Sequence, residues 1–336
     1  MKKVSLALFT LCATVSSPSY ADVDPWVVAA DIPGLITDLW PNGTRGSKGE
    51  SFEHPSTSNN LSGEFNVVTY NIDGFPESIG GTSNAAFKKL IKILNNQPYD
   101  VVNMQELFIE DKHDHIRDHM DTAAFPYRSK HHRGTRTSFG SGLLRVSKLP
   151  FDKNDGFDRE DFTDCHDIDC YTEKGFTFQR HWLNSEVSVD IYNMHNDAGR
   201  QNGDVRAKRA AMRQLANYIN IHSANSMVIV AGDYNLGWHD ETKPNSDEFL
   251  NIVTEFLAST GLSFSCQITH GGAYNSSLDG CKYHFQTPDR IAFKGSNHYN
   301  LTPTQLTLEE GIFVKDNGNE ISDHLPLKAE FTWSRK

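Results

Sequence analysis

Beyond its N-terminus the 336-residue chain has no apolar run long enough to cross a bilayer. Cysteine is scarce: there are five, and Cys12 stands far from Cys165, Cys170, Cys266 and Cys281. None is spaced C-x-x-C, so a four-cysteine zinc site lacks sequence support. A glycine-rich phosphate loop is absent, and no serine sits in a G-x-S-x-G elbow, which argues against phosphate-loop and covalent serine chemistry. Basic residues are in deficit, 32 Lys and Arg against 43 Asp and Glu, for a formal charge of −11. Such a chain is not steered broadly toward polyanions, which counts against nucleic acid unless a local basic patch overrides it.

The N-terminus itself reads as an export signal. Lys2 and Lys3 precede an apolar stretch from Val4 to Val15, and Ser19-Tyr20-Ala21 supplies small residues for cleavage. Residues 1–21 are therefore taken as a signal peptide and the mature chain as periplasmic or extracellular. In an oxidising compartment the four remaining cysteines are expected to pair. Three pairings are formally possible; Cys165–Cys170 and Cys266–Cys281 close the shortest loops. Residues 22–62, with Pro25, Pro33, Pro41 and Pro55, read as an irregular arm. Residues 63–336 are expected to form one domain, and the protein a monomer.

From Glu64 onward short β-type runs alternate with a few amphipathic helices. Strands are predicted over Phe65–Tyr70, Tyr99–Met104, Val187–Met194, Met227–Ala231, Arg290–Phe293 and Leu325–Phe331. Helical periodicity follows Ser83/Asn84, starts again near Asp204, and runs from Ser246/Asp247 to Gly261. Strands outnumber helices, which favours an α/β sandwich over a simple alternating parallel sheet.

Where the β-runs stop is more informative. They end on or begin beside Asn71-Ile-Asp73-Gly, Gln105-Glu106, His195-Asn196, Gly232-Asp233-Tyr-Asn235, Asp289-Arg-Ile291 and Ser322-Asp323-His324. A single acid after a strand is usually a solvated turn, and a single histidine usually a satisfied structural group. Six such termini converging on one edge would instead form a carboxylate-rich pocket with two histidines and two amides.

That ordered set resembles the endonuclease/exonuclease/phosphatase superfamily, the deoxyribonuclease-I-like enzymes, from about Glu64 to Trp333. The most specific parts are Gly232-Asp-Tyr-Asn235 and Ser322-Asp-His-Leu-Pro326. The resemblance implies a four-layer α/β fold, two packed and mainly antiparallel sheets flanked by helices, and a secreted, metal-dependent phosphodiester hydrolase. It further implies Glu106 as principal ligand of Mg²⁺, or of Mn²⁺ or Ca²⁺, with Asn71 beside it and Asp323 near the metal or a second site. Asp233 would orient or deprotonate the attacking water, Asn235 would hold the phosphate, and His195 would donate to a phosphate oxygen. Asp289 would pair with His324. Whether Asp233 or His324 is the general base stays open.

The substrate stays open as well. Lys174-Gly175-Phe176 before the His195 strand is similar to the bacterial sphingomyelinase branch, as is the polar run from Asn196 into an Arg-rich helix, which points to a phospholipid headgroup at a membrane surface. Asp73 and Asp289-Arg-Ile291 look more nuclease-like, and an inositol-phosphate phosphatase is the third alternative. The loop Thr269–Pro288, with Tyr274, Tyr283 and Phe285, is the candidate for membrane contact. Asp73 and the basic stretch His131, His132, Arg133 and Arg136 are candidate substrate contacts. Arg206, Lys208, Arg209 and Arg213 are read as a solvated helix face or a nucleic-acid contact. His113, His115 and His119 do not share one helical face and are read as surface residues. A catalytically silent binding protein would be expected to have lost Glu106, Asp233 or His324; all three are present.

Overall fold

The computed structural model describes residues 60–130, 139–151, 158–274, 281–282 and 287–336. The expected leader and arm (apart from its last residues), the basic stretch at His131, His132, Arg133 and Arg136, and Tyr283 and Phe285 lie outside the described residues.

Two six-stranded sheets pack face to face. The first runs β11 (Tyr299–Leu308), β12 (Leu327–Arg335), β1 (Ser62–Asn71), β2 (Val101–Gln105), β4 (Leu144–Ser147), β3 (Tyr127–Arg128). The second runs β5 (Asp158–Asp161), β6 (Gly175–Trp182), β7 (Ser188–His195), β8 (Met227–Asp233), β10 (Asp289–Lys294), β9 (Ser263–Phe264). Only the inner neighbours β1/β2 and β7/β8 are parallel; the other neighbours are antiparallel. The mainly antiparallel sandwich expected from the sequence is thus observed.

Both sheets are covered on their outer faces, which makes four layers. Over the first lies α1 (Asn84–Leu94), started by the Ser83 hydroxyl accepting from the Ala86 amide. Its apolar face, Phe87, Leu90, Ile91 and Leu94, packs on Val68, Tyr70 and Met104. Beside it α2 (Glu110–His119) went unseen in the sequence because its segment is almost wholly charged. It buries Ile116 together with Lys112 and His113. The Lys112 ammonium donates to the Phe75 and Thr82 carbonyls at 2.6 and 2.9 Å. His113 is an interior residue, against expectation, while the His115 and His119 rings lie tilted together with centroids 4.0 Å apart.

Over the second sheet lie α3 (Asn202–His222) and α4 (Ser246–Thr260). Here the charged stripe of α3 meets solvent only in part, at Arg206 and Arg213. Lys208 is wholly buried, and Arg209 and Arg213 pair with Glu248 and Glu255 of α4 at 2.5 to 3.1 Å. Arg209 and Arg213 thereby tie the two helices together, while Arg206 and Arg213 are exposed. A short α5 (Ser265–Thr269) carries Cys266, which is bonded to Cys281, and Cys165 is bonded to Cys170, the local pairing expected. Among the described residues no helix is long and apolar enough to cross a membrane.

Between the sheets the apolar core gives way, toward one edge, to a buried polar seam. Asn103 of β2 donates to the Tyr192 and Ala231 carbonyls of the opposite sheet at 3.1 and 3.0 Å. Asn193 of β7 donates back to the Met104 and Leu144 carbonyls at 3.0 and 3.2 Å and accepts from Gln105 at 2.8 Å. Arg145 of β4 spans the seam, donating to Asn103 at 2.8 Å and to Gln179 of β6 at 2.6 Å. Apolar contact fixes the sheet separation only loosely, whereas these directional bonds fix register and distance where the strands end. Replacing Asn193 with Ala would remove one of the Gln105 acceptors and the side-chain donor to two buried carbonyls. We expect it to cost about 2–4 kcal/mol of unfolding free energy, read as a lower urea midpoint with an unchanged slope.

Candidate active site

The polar edge is where the strand ends meet. β1 and β2 run parallel, so Asn71 pairs in register with Gln105 and Glu106 follows at once. β7 and β8 run parallel, so His195 pairs with Asp233. β10 returns antiparallel and begins with Asp289 opposite Asp233. The loop before β12 is tied to β1 by the Ser322 hydroxyl, which donates to the Asn71 carbonyl at 2.8 Å, and it brings in His324. The local backbone is strained. Asp73, Glu106 and Asn235 all adopt positive φ, at 48°, 67° and 48°. Asn and Asp tolerate that region, but for Glu106 it costs roughly 1–2 kcal/mol. Gly74 backs this bend so closely that a Cβ there would stand 2.3 Å from the Glu106 carbonyl oxygen.

The side chains converge on Asp233. Asn71 Nδ2 donates to Glu106 Oε1 at 2.9 Å and to Asp233 Oδ2 at 3.2 Å. Asn235 donates to Asp233 through its amide at 2.8 Å and its side chain at 3.2 Å. His195 Nε2 stands 3.5 Å from Asp233 and 3.8 Å from Glu106. On the other flank Asp289 Oδ2 accepts from His324 Nδ1 at 2.8 Å and from the Thr287 hydroxyl at 2.6 Å. His324 Nε2 thereby faces Asp233 at 4.0 Å. The sequence-derived Asp289–His324 pair and Asn71–Glu106 pair are both present as geometry.

Burial and crowding set the charges. Burial pushes the Glu106 carboxyl up to about 7. It raises Asp233 too, with Asp289 adding to the rise. For His324 burial works downward, but Asp289, and then Asp233, outweigh it and hold the imidazole at about 10. His195 is driven the other way, well below its ordinary value, by burial and then by Lys174, so it is neutral.

Lys174 is the site-adjacent residue that sequence reasoning did not place. It is buried, ion-paired to Asp169 at 2.7 Å, and its charge acts on Glu106, Asp233 and His195. Asp169 also accepts from the Ala198 amide at 2.5 Å, and burial with the Asp169 hydrogen bond lifts Asp197 to about 9. Lys208 closes the cluster on the Asp197 and Ala198 carbonyls. The available signal was a lysine placed between an acid-rich loop and an apolar strand.

Other expected residues fall elsewhere. Asp323 is exposed and belongs to neither group of side chains close enough to share a cation. Asp73 is half-buried beside the cluster, and burial together with Asp323 lifts it to about 6. Tyr274, expected to reach a membrane, is instead buried against Trp238 at 4.5 Å, with its hydroxyl on the Leu236 and Gly237 carbonyls.

Two overlapping donor groups suit a hard divalent cation: Glu106, His195 and Asp233, and Asp233, Asp289 and His324. The fit is tested by the atoms left over. Among the described residues, both ring nitrogens of His195, Asp289 Oδ1 and Asn196 Nδ2 are buried without a hydrogen-bond partner. The raised Glu106 and Asp233 carboxyls call for a positive charge at the same place.

Residues 68–293 match the Endonuclease/Exonuclease/phosphatase family. The sphingomyelinase of Mycobacterium bovis is 27% identical over 277 residues, 81% of this chain and 53% of the relative, as is that of Mycobacterium tuberculosis. The chain therefore spans about half the length of these relatives. Among solved structures, Staphylococcus aureus beta toxin with bound magnesium ions is 16% identical with a TM-score of 0.57, covering 80% of this chain and 99% of that one. D. rerio TDP2 complexed with a single-strand DNA product is 15% identical with a TM-score of 0.54, covering 80% and 98%. At these identities the solved structures establish the shared fold.

Asp289 is the largest influence raising His324. The bonus it brings to the folded state is fully present below the ordinary histidine value and lost as pH rises through about 10. In metal-free protein, Asp289→Asn is expected to shift the His324 NMR titration downward by more than one pH unit, roughly. An unmoved titration would remove the pairing.

Proposed function

Because the chain belongs to the endonuclease/exonuclease/phosphatase family, we propose that it is an exported, divalent-metal-dependent phosphodiesterase acting on phospholipid headgroups. The observation that carries the reaction class is the convergence of Glu106, His195, Asp233, Asp289 and His324 on one sheet edge. The lipid reading is supported by the 27% identity to the mycobacterial sphingomyelinases across most of this chain, and by the acidic charge. Export is supported by the N-terminal sequence and the two disulfides.

In this reading Glu106 and Asp233, with Asn71 beside them, would hold the cation. When bound, Mg²⁺ or a similar ion supplies positive charge to the phosphate oxygens in the transition state. The protein's own groups do the rest. Asp233, held by Asn71 and Asn235, takes a proton from the attacking water as its oxygen bonds to phosphorus. His324, kept protonated by Asp289, gives a proton to the alcohol oxygen as the phosphorus–oxygen ester bond breaks. His195, neutral and unpartnered, donates to a non-bridging oxygen, and Asn235 to the phosphate. The positive-φ turns at Glu106, where the backbone is strained, and at Asn235 aim these groups before substrate arrives.

Glu106→Gln keeps the size and the Asn71 hydrogen bond but removes the ligand charge. It is expected to lower turnover by at least about 10²-fold, as chelation of the wild type should, with melting temperature near wild type. Full activity in excess chelator would defeat the metal reading. For the substrate, sphingomyelin vesicles and plasmid or single-stranded DNA are compared in Mg²⁺ across a salt series. Release of phosphorylated headgroup with intact DNA is expected. Nicking that falls steeply with salt, without lipid turnover, would mark a nuclease instead, because a nuclease displaces counterions from several phosphates.

A further inference from the structure

A groove of about 700 Å³ opens beside the catalytic edge and is not used by the mechanism above. Its wall includes Asn235 and Thr287, the same residues that hydrogen-bond Asp233 and Asp289, so the groove begins where the reacting phosphate would sit. Arg200, Trp238, His239, Lys243 and the acids Asp240 and Glu241 are among the residues that line the remainder. This size is in the range of a site for a small-molecule group.

Arg200, Lys243 and Lys282 stand against Asp240 and Glu241 in the groove, so its cations exceed its carboxylates only slightly. Its aromatic rings are already covered: Trp238 is 7% exposed, packed by Tyr274 and by the Arg290 guanidinium at 4.5 Å. Phe249 is 1% exposed, with the Arg200 guanidinium over its ring at 4.4 Å. A quaternary ammonium wants open aromatic faces, and here protein cations hold them. Asp240, at the rim, is turned into its own loop by the Thr242 hydroxyl at 2.6 Å and amide at 3.0 Å.

Arg200 is the distinctive residue. In a chain with more acids than bases, no ion pair joins it to a carboxylate among the described residues. Its Nη1 makes two long hydrogen bonds, to the Pro244 carbonyl at 3.3 Å and the Ser246 hydroxyl at 3.4 Å. Across from its Nη2 stands Gly237, where a Cβ would come within 3.3 Å. The planar fork is thus braced on Phe249 with donors left for a ligand, the arrangement suited to a carboxylate or phosphate.

We propose that this groove is a headgroup subsite in which Arg200 binds a second anionic group, so that the preferred phosphodiesters carry a carboxylate or phosphate on the headgroup beyond the scissile phosphate. The proposal rests on the phosphodiesterase reading and narrows it: a choline headgroup is a poorer fit than an anionic one.

The test uses soluble p-nitrophenyl phosphodiesters whose second alcohol is choline, propanol or 3-hydroxypropanoate, at one Mg²⁺ concentration and without membranes. Wild type is expected to prefer the carboxylate over choline by about tenfold in kcat/KM, mainly through KM, as one charge-assisted contact would give. Arg200→Gln should erase that preference and Arg200→Lys should keep part of it, with melting temperatures checked for each. Equal rates on the three diesters, faster choline hydrolysis, a preference that survives in R200Q, or equal losses on all three would each overturn the subsite. The wild-type series decides the matter even if R200Q folds poorly. Hydrolysis of none of them, with sphingomyelin vesicles also intact, defeats the phosphodiesterase reading and this inference with it. A flat diester series with DNA nicking that disappears in R200Q would assign the groove to nucleic acid.

Discussion

A single buried carboxylate, that of Asp233, holds the catalytic edge together. It is bonded by Asn71 from one sheet and by Asn235 from its own loop, and both histidines lie within 4.0 Å of it. It belongs to both groups of side chains able to share a cation. A buried anion beside Glu106 and Asp289 is tolerable only if donors and positive charge surround it. Much of the surrounding structure can be understood as meeting that need. Asp289 keeps His324 charged, Lys174 stands behind Glu106 and His195, and burial leaves Glu106 ready to exchange a proton for a cation.

Placing these groups accurately is the task of the layers beneath. The seam of Asn103, Gln105, Asn193 and Arg145 crosses between the sheets next to the strand ends that carry the site. Each bond in it would be costly to lose, and together they forbid the sliding that an all-apolar interface would allow. On the far side of His195, Asp169, Lys174, Asp197 and Lys208 form a second buried cluster, closed by the Cys165–Cys170 bond next to Asp169. Stability near the site is therefore polar, and the apolar layers under α1, α3 and α4 supply the burial that offsets it.

The strands that carry the site, the three amphipathic helices, the local disulfides and the order of the catalytic residues were legible in the sequence. Each depends on neighbours in the chain: period-two and period-3.6 patterns, short loops, and polar residues where a β-run stops. α2 was not legible, because Lys112 and His113 are buried by hydrogen bonding and not by an apolar face. β11 was missed as an edge strand with exposed and buried positions mixed and an internal Pro303. Lys208 and Arg209 were misjudged because a charge that meets solvent and one that meets a partner inside the fold look alike in sequence.

What the sequence alone determined is the set of groups available for chemistry: carboxylates, amides and two histidines at strand ends, in an order that marks the family. Tertiary structure decided their charges and their company. Burial and proximity, which arise only when separate strands are brought together, make His195 neutral and His324 cationic although both are histidines after or before a strand. The same packing drew Lys174 in behind the site, left Asp323 outside it, buried Tyr274, and set Arg200 beside an open groove. Residue type and spacing are local properties of the chain; dielectric, distance and partner belong to the fold.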